Sequence, residues 1–285
     1  MGGIFMNNTL ITVSNTKTFE RYLTEQEKSQ ATICKYLHDL RTFAKYAQGR
    51  PVNKLLLLSY KERLEQEYSL SSANSMLAAL NSFLRFCKRP ELCIKPFRVQ
   101  KEIFRHSEQE LTKNEYQRLV AAAERQRNQR LSLLLQTICG TGIRVSELPY
   151  ITAEAVLAGT ARVTCKGKSR TVFIVTALQK KLKQYMKKLG IQTGAIFVTK
   201  TGKPLDRSNI WKEMKHLCAQ AHVLPGKVFP HNLRHLFART FYSLEKDIAK
   251  LADILGHTSV NTTRIYIITT GAEHRRRMES MRLIL

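Results

Sequence analysis

Residues 229–268 read FPHNLRHLFARTFYSLEKDIAKLADILGHTSVNTTRIYII, and the rest of the chain is best read outward from this run. His231 and Arg234 stand three apart, so on a helix they share one face. Asp247 is placed to cap a short amphipathic helix through Leu255, and Gly256 to end it. His257 follows that glycine at the start of a turn. Tyr266 comes nine residues later in a polar, Thr-rich segment, a setting that predicts a phenol near the surface rather than in a core. Two imidazoles, a guanidinium and a phenol are the parts needed to grip a phosphate and attack it.

Composition supports such a target. Lys and Arg number 47 against 22 Asp and Glu, a formal charge of +25 in 285 residues. That excess suits a polyanion such as DNA or RNA, because each phosphate contact releases a counterion. Hydrophobic content of 43% is enough for an ordinary core. The six cysteines, at 34, 87, 93, 139, 165 and 218, include no CxxC pair. They read as buried thiols of a reducing cytosol rather than as a disulfide framework or a zinc site. The N-terminal MGGIFMNNTL lacks a signal-peptide pattern, and apolar runs such as Leu55–Leu58 are too short to span a bilayer. The expectation is a soluble, cytoplasmic protein with no membrane association.

Upstream of the opening run, apolar spacing predicts a mainly α fold with a small β-sheet. A helix from Thr16 is followed by one capped by Ser29 and closed by Gly49. A third runs from Lys54 to Tyr68, and a fourth is capped by Ser71. The stretch Lys88–Gln109, with Pro90, Pro96 and the basic Arg98, Lys101 and Arg105, breaks the pattern. It reads either as a solvated linker or as one passing over a phosphate backbone. The expected organisation is a helical domain over 14–95, a linker over 96–110 and a second, α+β domain over 111–285.

In the second domain Thr112 and Glu115 form a capping box. A helix from Asn128 ends at Gly140-Thr141-Gly142, and a new one starting near Ile143 carries Arg144 and Glu147. Two β-type runs, Ala161–Cys165 and Thr171–Val175, flank the basic tip KGKSR and predict a hairpin. A lysine-rich helix over Ala177–Leu189, a short strand at Ile196–Val198 and a helix over Arg207–Ala221 complete the approach. A basic helix over 272–285 follows the opening run.

Five segments in this order carry a resemblance: TGIRVSEL at 141–148, CKGKSR at 165–170, HNLRH at 231–235, LGHTSV at 255–260 and TTRIY at 262–266. Together they resemble the tyrosine recombinases, the phage-type integrases and Xer-like enzymes. The stretch SQATICKYLHDLRTF at 29–43 is similar to that family's helical core-binding domain. The resemblance implies a site-specific DNA recombinase, bacterial or encoded by a phage or mobile element, that works without metal, ATP or other cofactor. Tyr266 would be the nucleophile of a 3′-phosphotyrosyl link. Arg144 and Arg234 would clamp the non-bridging oxygens, and Lys166 would protonate the leaving 5′-oxygen. His231 would assist proton transfer at Tyr266, His257 would bond the phosphate region, and Glu147 would support the site. Lys168 competes with Lys166 for its role, and Tyr185 and Tyr242 are the competing phenols. The implied partners are double-stranded DNA and further copies of the chain, as a tetramer on two DNA sites joined through residues 272–285. A catalytically inactive DNA-binding regulator and a topoisomerase-like relaxing enzyme are the alternatives.

Two departures stand against the pattern. PYITAEAVLAG at 149–159 lacks the Leu-x-Trp-x-Asp that usually follows in the family, and IITT follows Tyr266 where an aromatic-His pair is common. The chain has no recognisable arm-binding segment ahead of residue 14, which implies a compact enzyme acting on core sites.

Overall fold

The computed structural model describes residues 13–99, 109–165, 168–199, 201–257, 259–264, 266 and 279–281, with the side chains at 13–15, 165 and 168 excluded. Lys166, most of the expected linker and most of the expected C-terminal helix lie outside these residues. The chain divides into two compact units, Met1–Lys101 and Glu102–Leu285.

Among the described residues the first unit holds four α-helices: α1 Val13–Glu25, α2 Gln30–Ala47, α3 Lys54–Glu67 and α4 Leu70–Phe86. Polar residues in extended backbone start three of them. Ser29, Asn53 and Ser69 each accept a main-chain N–H from three residues on, satisfying a donor that the first turn leaves open. Ser69, not the expected Ser71, therefore caps α4. Helix α2 closes one residue early, on Gln48 at φ +48°, ahead of Gly49. Phe19 packs edge-on against Phe83 at 5.3 Å, and Phe43 against Tyr60 at 4.9 Å, inside a core shared with Leu40, Leu57 and Leu80. Beyond α4 the chain is tied back by two asparagines. Asn81 exchanges a pair of hydrogen bonds with the backbone of Ile94 (2.7 and 2.8 Å), and Asn74 does the same with Phe97 (3.0 and 2.7 Å).

The second unit runs α5 Lys113–Arg125, α6 Gln129–Thr141, α7 Ala153–Ala158, β1 Thr160–Cys165, β2 Lys168–Phe173, α8 Thr176–Leu189, α9 Arg207–Ala221, α10 Pro230–Glu245, α11 Ile248–Leu255 and α12 Val260–Arg264. The capping box forms as read, with Glu115 accepting from Thr112 N and Thr112 Oγ1 from Glu115 N. Leu134, Ile138, Val163, Leu182, Met214 and Leu233 bury the inner faces of five of these elements in one core. A second, small cluster holds Ala238, Leu251, Leu255 and Tyr266. Helix α11 has only eight residues and would be marginal alone. Burial of Leu251 and Leu255, each worth about 1.5–3 kcal/mol, holds it in place.

Several expectations change. Gly140 and Thr141 belong to α6, and only Gly142, at φ +65°, ends it. Thr141 Oγ1 bonds both Thr137 O and the Ile143 N–H, which turns the chain out of the helix. No α-helix starts at Ile143. Arg144 is extended, and a 3-10 turn follows over Val145–Tyr150 with Pro149 inside it, which denies the turn a backbone donor. The hairpin is shifted: Cys165 pairs with Lys168, so Lys168, Ser169 and Arg170 lie in β2 rather than at a tip. The expected strand at Ile196–Val198 reduces to the isolated bridges Thr152–Ala195 and Val198–Pro204. Among the described cysteine side chains only Cys218 is buried, while Cys34 is exposed and Cys87, Cys93 and Cys139 are intermediate. No helix among the described residues is long and apolar enough to cross a membrane.

Candidate active site

Helix α10 carries the first cation inward. Pro230 occupies its first turn, where a missing N–H costs nothing, and Asn232 anchors that turn through Lys227 O (2.7 Å) and Gln109 O (3.0 Å). One turn on, Arg234 is only 2% exposed. Its Nη1 donates to Gly142 O at 2.6 Å and its Nη2 to Leu255 O at 2.8 Å. These carbonyls sit at the C-terminal ends of α6 and α11, where the helix dipoles favour positive charge. Burial, then the neighbouring Arg144, pull the guanidinium down to about 10, partly offset by a hydrogen bond with Tyr266. It stays charged at neutral pH.

Helix α6 can end against α10 only because residue 142 is glycine. A Cβ there would stand 2.5 Å from Phe237 Cδ1.

His257 closes the next side. Its Nε2 lies 3.0 Å from Arg234 Nη2, and its Nδ1 lies 2.8 Å from Thr263 Oγ1. A guanidinium has no acceptor, so Nε2 must offer its lone pair and Nδ1 must carry the proton. Burial, then the charges of Arg234, Arg144 and Arg170, depress the imidazole to about 4. His257 is neutral at physiological pH, a fixed brace for Arg234.

Tyr266 sits within this frame. It is 2% exposed and packs on Ala238, Leu251 and Leu255, contrary to the surface position read from its polar neighbours. Burial here is imposed by α10 and α11, not by the local sequence. Its ring stacks on His257 (5.6 Å, 13°), meets the edge of His235 (4.3 Å) and lies 6.0 Å from His231. His231 is exposed and touches His235 at 4.6 Å. The phenol is thus ringed by three histidines, one of which, His235, is fully buried and had no assigned part. Thr263 was also unassigned, and it holds both His257 and, through its carbonyl, the Tyr266 N–H at 2.9 Å.

The second cation comes from the 3-10 turn. Arg144 Nη1 donates to Glu147 Oε1 at 2.8 Å, and its main-chain N–H to Glu147 Oε2 at 2.9 Å. Its Nη2 reaches Gly256 O only at a long 3.4 Å. The side chain is 36% exposed, so it faces both the site and solvent. Glu147 is 3% exposed. Burial alone would raise its carboxyl, but the bonds from Arg144 and the charge of Arg170 outweigh that and hold it below the usual range. Arg170, read in the sequence as part of a basic tip, instead turns inward and donates to Glu147 Oε2 at 2.6 Å.

Of the residues singled out in the sequence, His231, Arg234, His257 and Tyr266 contact one another as one group, and Arg144 pairs with Glu147 and reaches that group at the Gly256 carbonyl next to His257. Lys166 is outside the described residues. The competing Tyr185 belongs to the large core, and Tyr242 packs beside the small one. Arg239 pairs with Glu110.

Known proteins resemble the chain over both units. Residues 109–272 match the Phage integrase family, and residues 16–91 match the phage integrase N-terminal SAM-like domain. The chain is 30% identical over 279 residues to tyrosine recombinase XerC of Lacticaseibacillus casei, covering 89% of this chain and 93% of that protein. It is 28% identical over 277 residues to tyrosine recombinase XerA of Pyrococcus furiosus, covering 93% of each. Among solved structures, a XerA recombinase aligns at 25% identity with a TM-score of 0.53, covering 95% of this chain and 99% of that one. The fold is shared with a lambda integrase tetramer bound to a Holliday junction, at a TM-score of 0.71 and 19% identity, over 89% of this chain and 76% of that one.

Proposed function

Since the chain belongs to the phage integrase family of tyrosine recombinases, we propose that it is a site-specific DNA recombinase that cuts and rejoins duplex DNA through a covalent bond to Tyr266. The observation that carries this reading is the burial of Tyr266 against three histidines and Arg234 within the same chain.

In the proposed step the Tyr266 oxygen attacks phosphorus and the bond to the 5′-oxygen breaks. A 3′-phosphotyrosyl ester and a free 5′-hydroxyl result. The phenol proton passes to His231, and Lys166 protonates the leaving oxygen. Arg144 and Arg234 take the non-bridging oxygens, where charge accumulates in the transition state. His257, neutral and locked by Thr263, keeps Arg234 aimed. Attack of a second 5′-hydroxyl on the phosphotyrosine reverses the step on a new partner, and the ester conserves the bond energy, so neither ATP nor metal is required. Exchange between two duplexes calls for four copies on two sites, with residues 272–285 linking neighbours. The first unit would grip the duplex, and the excess of 47 basic over 22 acidic residues supports DNA as the partner.

The test is a nicked duplex carrying a site selected from random sequence, incubated in EDTA. A covalent protein–DNA adduct is expected with the unaltered chain and none with Tyr266→Phe, which should bind the duplex equally well. An undiminished adduct in Tyr266→Phe would refute the assignment. Relaxation of supercoils without recombinant products would favour the topoisomerase-like reading.

A further inference from the structure

The hairpin ladder dictates where Arg170 points. It pairs with Val163, and cross-strand partners share a face. Val163 is 1% exposed in the large core, so Arg170 is turned inward as well. The next pair, Thr164 with Ser169, faces solvent. Arg170 runs past Gly256, where a Cβ would stand 2.4 Å from its Cδ. Only glycine leaves that lane open. At the far end Nη1 donates to Ile254 O at 2.8 Å and Nη2 to Glu147 Oε2 at 2.6 Å. The side chain is 12% exposed, and its Nε is buried with no partner among the described residues. Such a burial is expensive, and an apolar side chain of similar length would fill the lane at lower cost. Stability is therefore a poor account of an arginine here.

The charges around Glu147 give a better one. The buried Glu147 carboxylate is shared by two guanidiniums, those of Arg144 and Arg170. Arginine and carboxylate favour a two-toothed pair. Arg144 makes only one side-chain bond to Glu147, because Oε2 is already taken by Arg170 and by the Arg144 main-chain N–H. Among the described residues that leaves Arg144 Nη2 with only the long contact to Gly256 O, which an incoming phosphate oxygen could replace.

Building on the recombinase reading above, we propose that Arg170 is a positioning residue: by occupying Glu147 Oε2 it stops that carboxylate from closing fully on Arg144, and so keeps the second Arg144 nitrogen and its charge available to the DNA phosphate. Arg170 does not touch the phosphate. It acts through Glu147.

Single-turnover adduct formation on the nicked duplex, at saturating protein, tests this in the full chain alongside the Kd for the duplex and the melting temperature. Arg170→Met is expected to slow adduct formation by ~100-fold with a nearly unchanged Kd. Adding Glu147→Gln to Arg170→Met removes the charge that would capture Arg144, and is expected to recover at least ~10-fold of the lost rate. Arg170→Lys, which keeps one donor for Oε2, should stay closer to the unaltered chain than Arg170→Gln does; this pair carries the comparison if Arg170→Met does not fold. A full rate in Arg170→Met, or no recovery in the double variant, overturns the proposal and leaves Arg170 a structural brace. Absence of an adduct even from the unaltered chain would instead count against the recombinase reading itself.

Discussion

The two halves of the site hold a guanidinium in different ways. Arg234 is bound by the carbonyls of two helix ends and by a neutral imidazole, so its full charge survives burial. Arg144 is bound by a carboxylate, and would be largely neutralised if Arg170 did not share that carboxylate. Dipoles hold a cation without cancelling it, whereas a counter-ion holds it and competes for it. The first half gains a rigid clamp that is also part of the fold. The second gains a clamp that is partly exposed and has a weakly held donor to release.

The sharpest way to break this contrast is to remove each arginine in turn. Arg234→Ala leaves two helix-end carbonyls buried without donors, and should cost about 2–5 kcal/mol as well as adduct formation. Arg144→Ala should lower the adduct rate by ~10²–10³-fold while leaving the melting temperature much closer to that of the unaltered chain, because Glu147 keeps Arg170. Urea titration alongside single-turnover cleavage separates the two outcomes, and equal stability losses would erase the distinction.

Gly256→Ala tests the seam between the halves. Residue 256 is at φ +65°, a conformation that costs an alanine about 1–2 kcal/mol, and the new methyl would push into Arg170. Reduced stability together with slower cleavage is expected. Loss of stability alone would mean that Arg170 tolerates displacement.

The smallest effect concerns His257, depressed from its ordinary 6.5 to about 4 by burial and nearby cations. Between those pH values the unfolded chain takes up a proton at this position and the folded chain does not, so stability falls as the pH drops from about 6.5 towards 4. His257→Gln should flatten that part of the melting-temperature curve. An unchanged slope would indicate an imidazole already charged in the fold, and hence a different partner for Arg234.

What could be read from the sequence was local. The Thr112–Glu115 box, the Asp247 cap and the Gly256 stop each depend on residues within a few positions, and each forms as read. The resemblance located five of the segments that supply the site. Ser69, Gln48 and the 3-10 turn at Val145 were misread because neighbouring serines, a glycine one residue late and a proline offer nearly equal local choices. Tyr266 was misjudged for a different reason. Its sequence neighbours are polar, but α10 and α11 bury it, and nothing near it in the chain signals that. Arg170 was placed at a basic tip because its orientation depends on strand register, which a shift of one residue reverses. His235 and Thr263 gain their parts only once Tyr266 and His257 are packed against them.

One feature of the first unit bears on how the molecule could be divided. The SAM-like match ends at residue 91, short of the backbone groups of Ile94 and Phe97 that the amides of Asn81 and Asn74 hold. A fragment trimmed to that homology boundary would strip four hydrogen bonds from α4 and bare the amide of the buried Asn81. For dissecting the protein into separately expressed pieces, the natural cutting point is the chain beyond Phe97, not the edge of recognisable sequence similarity.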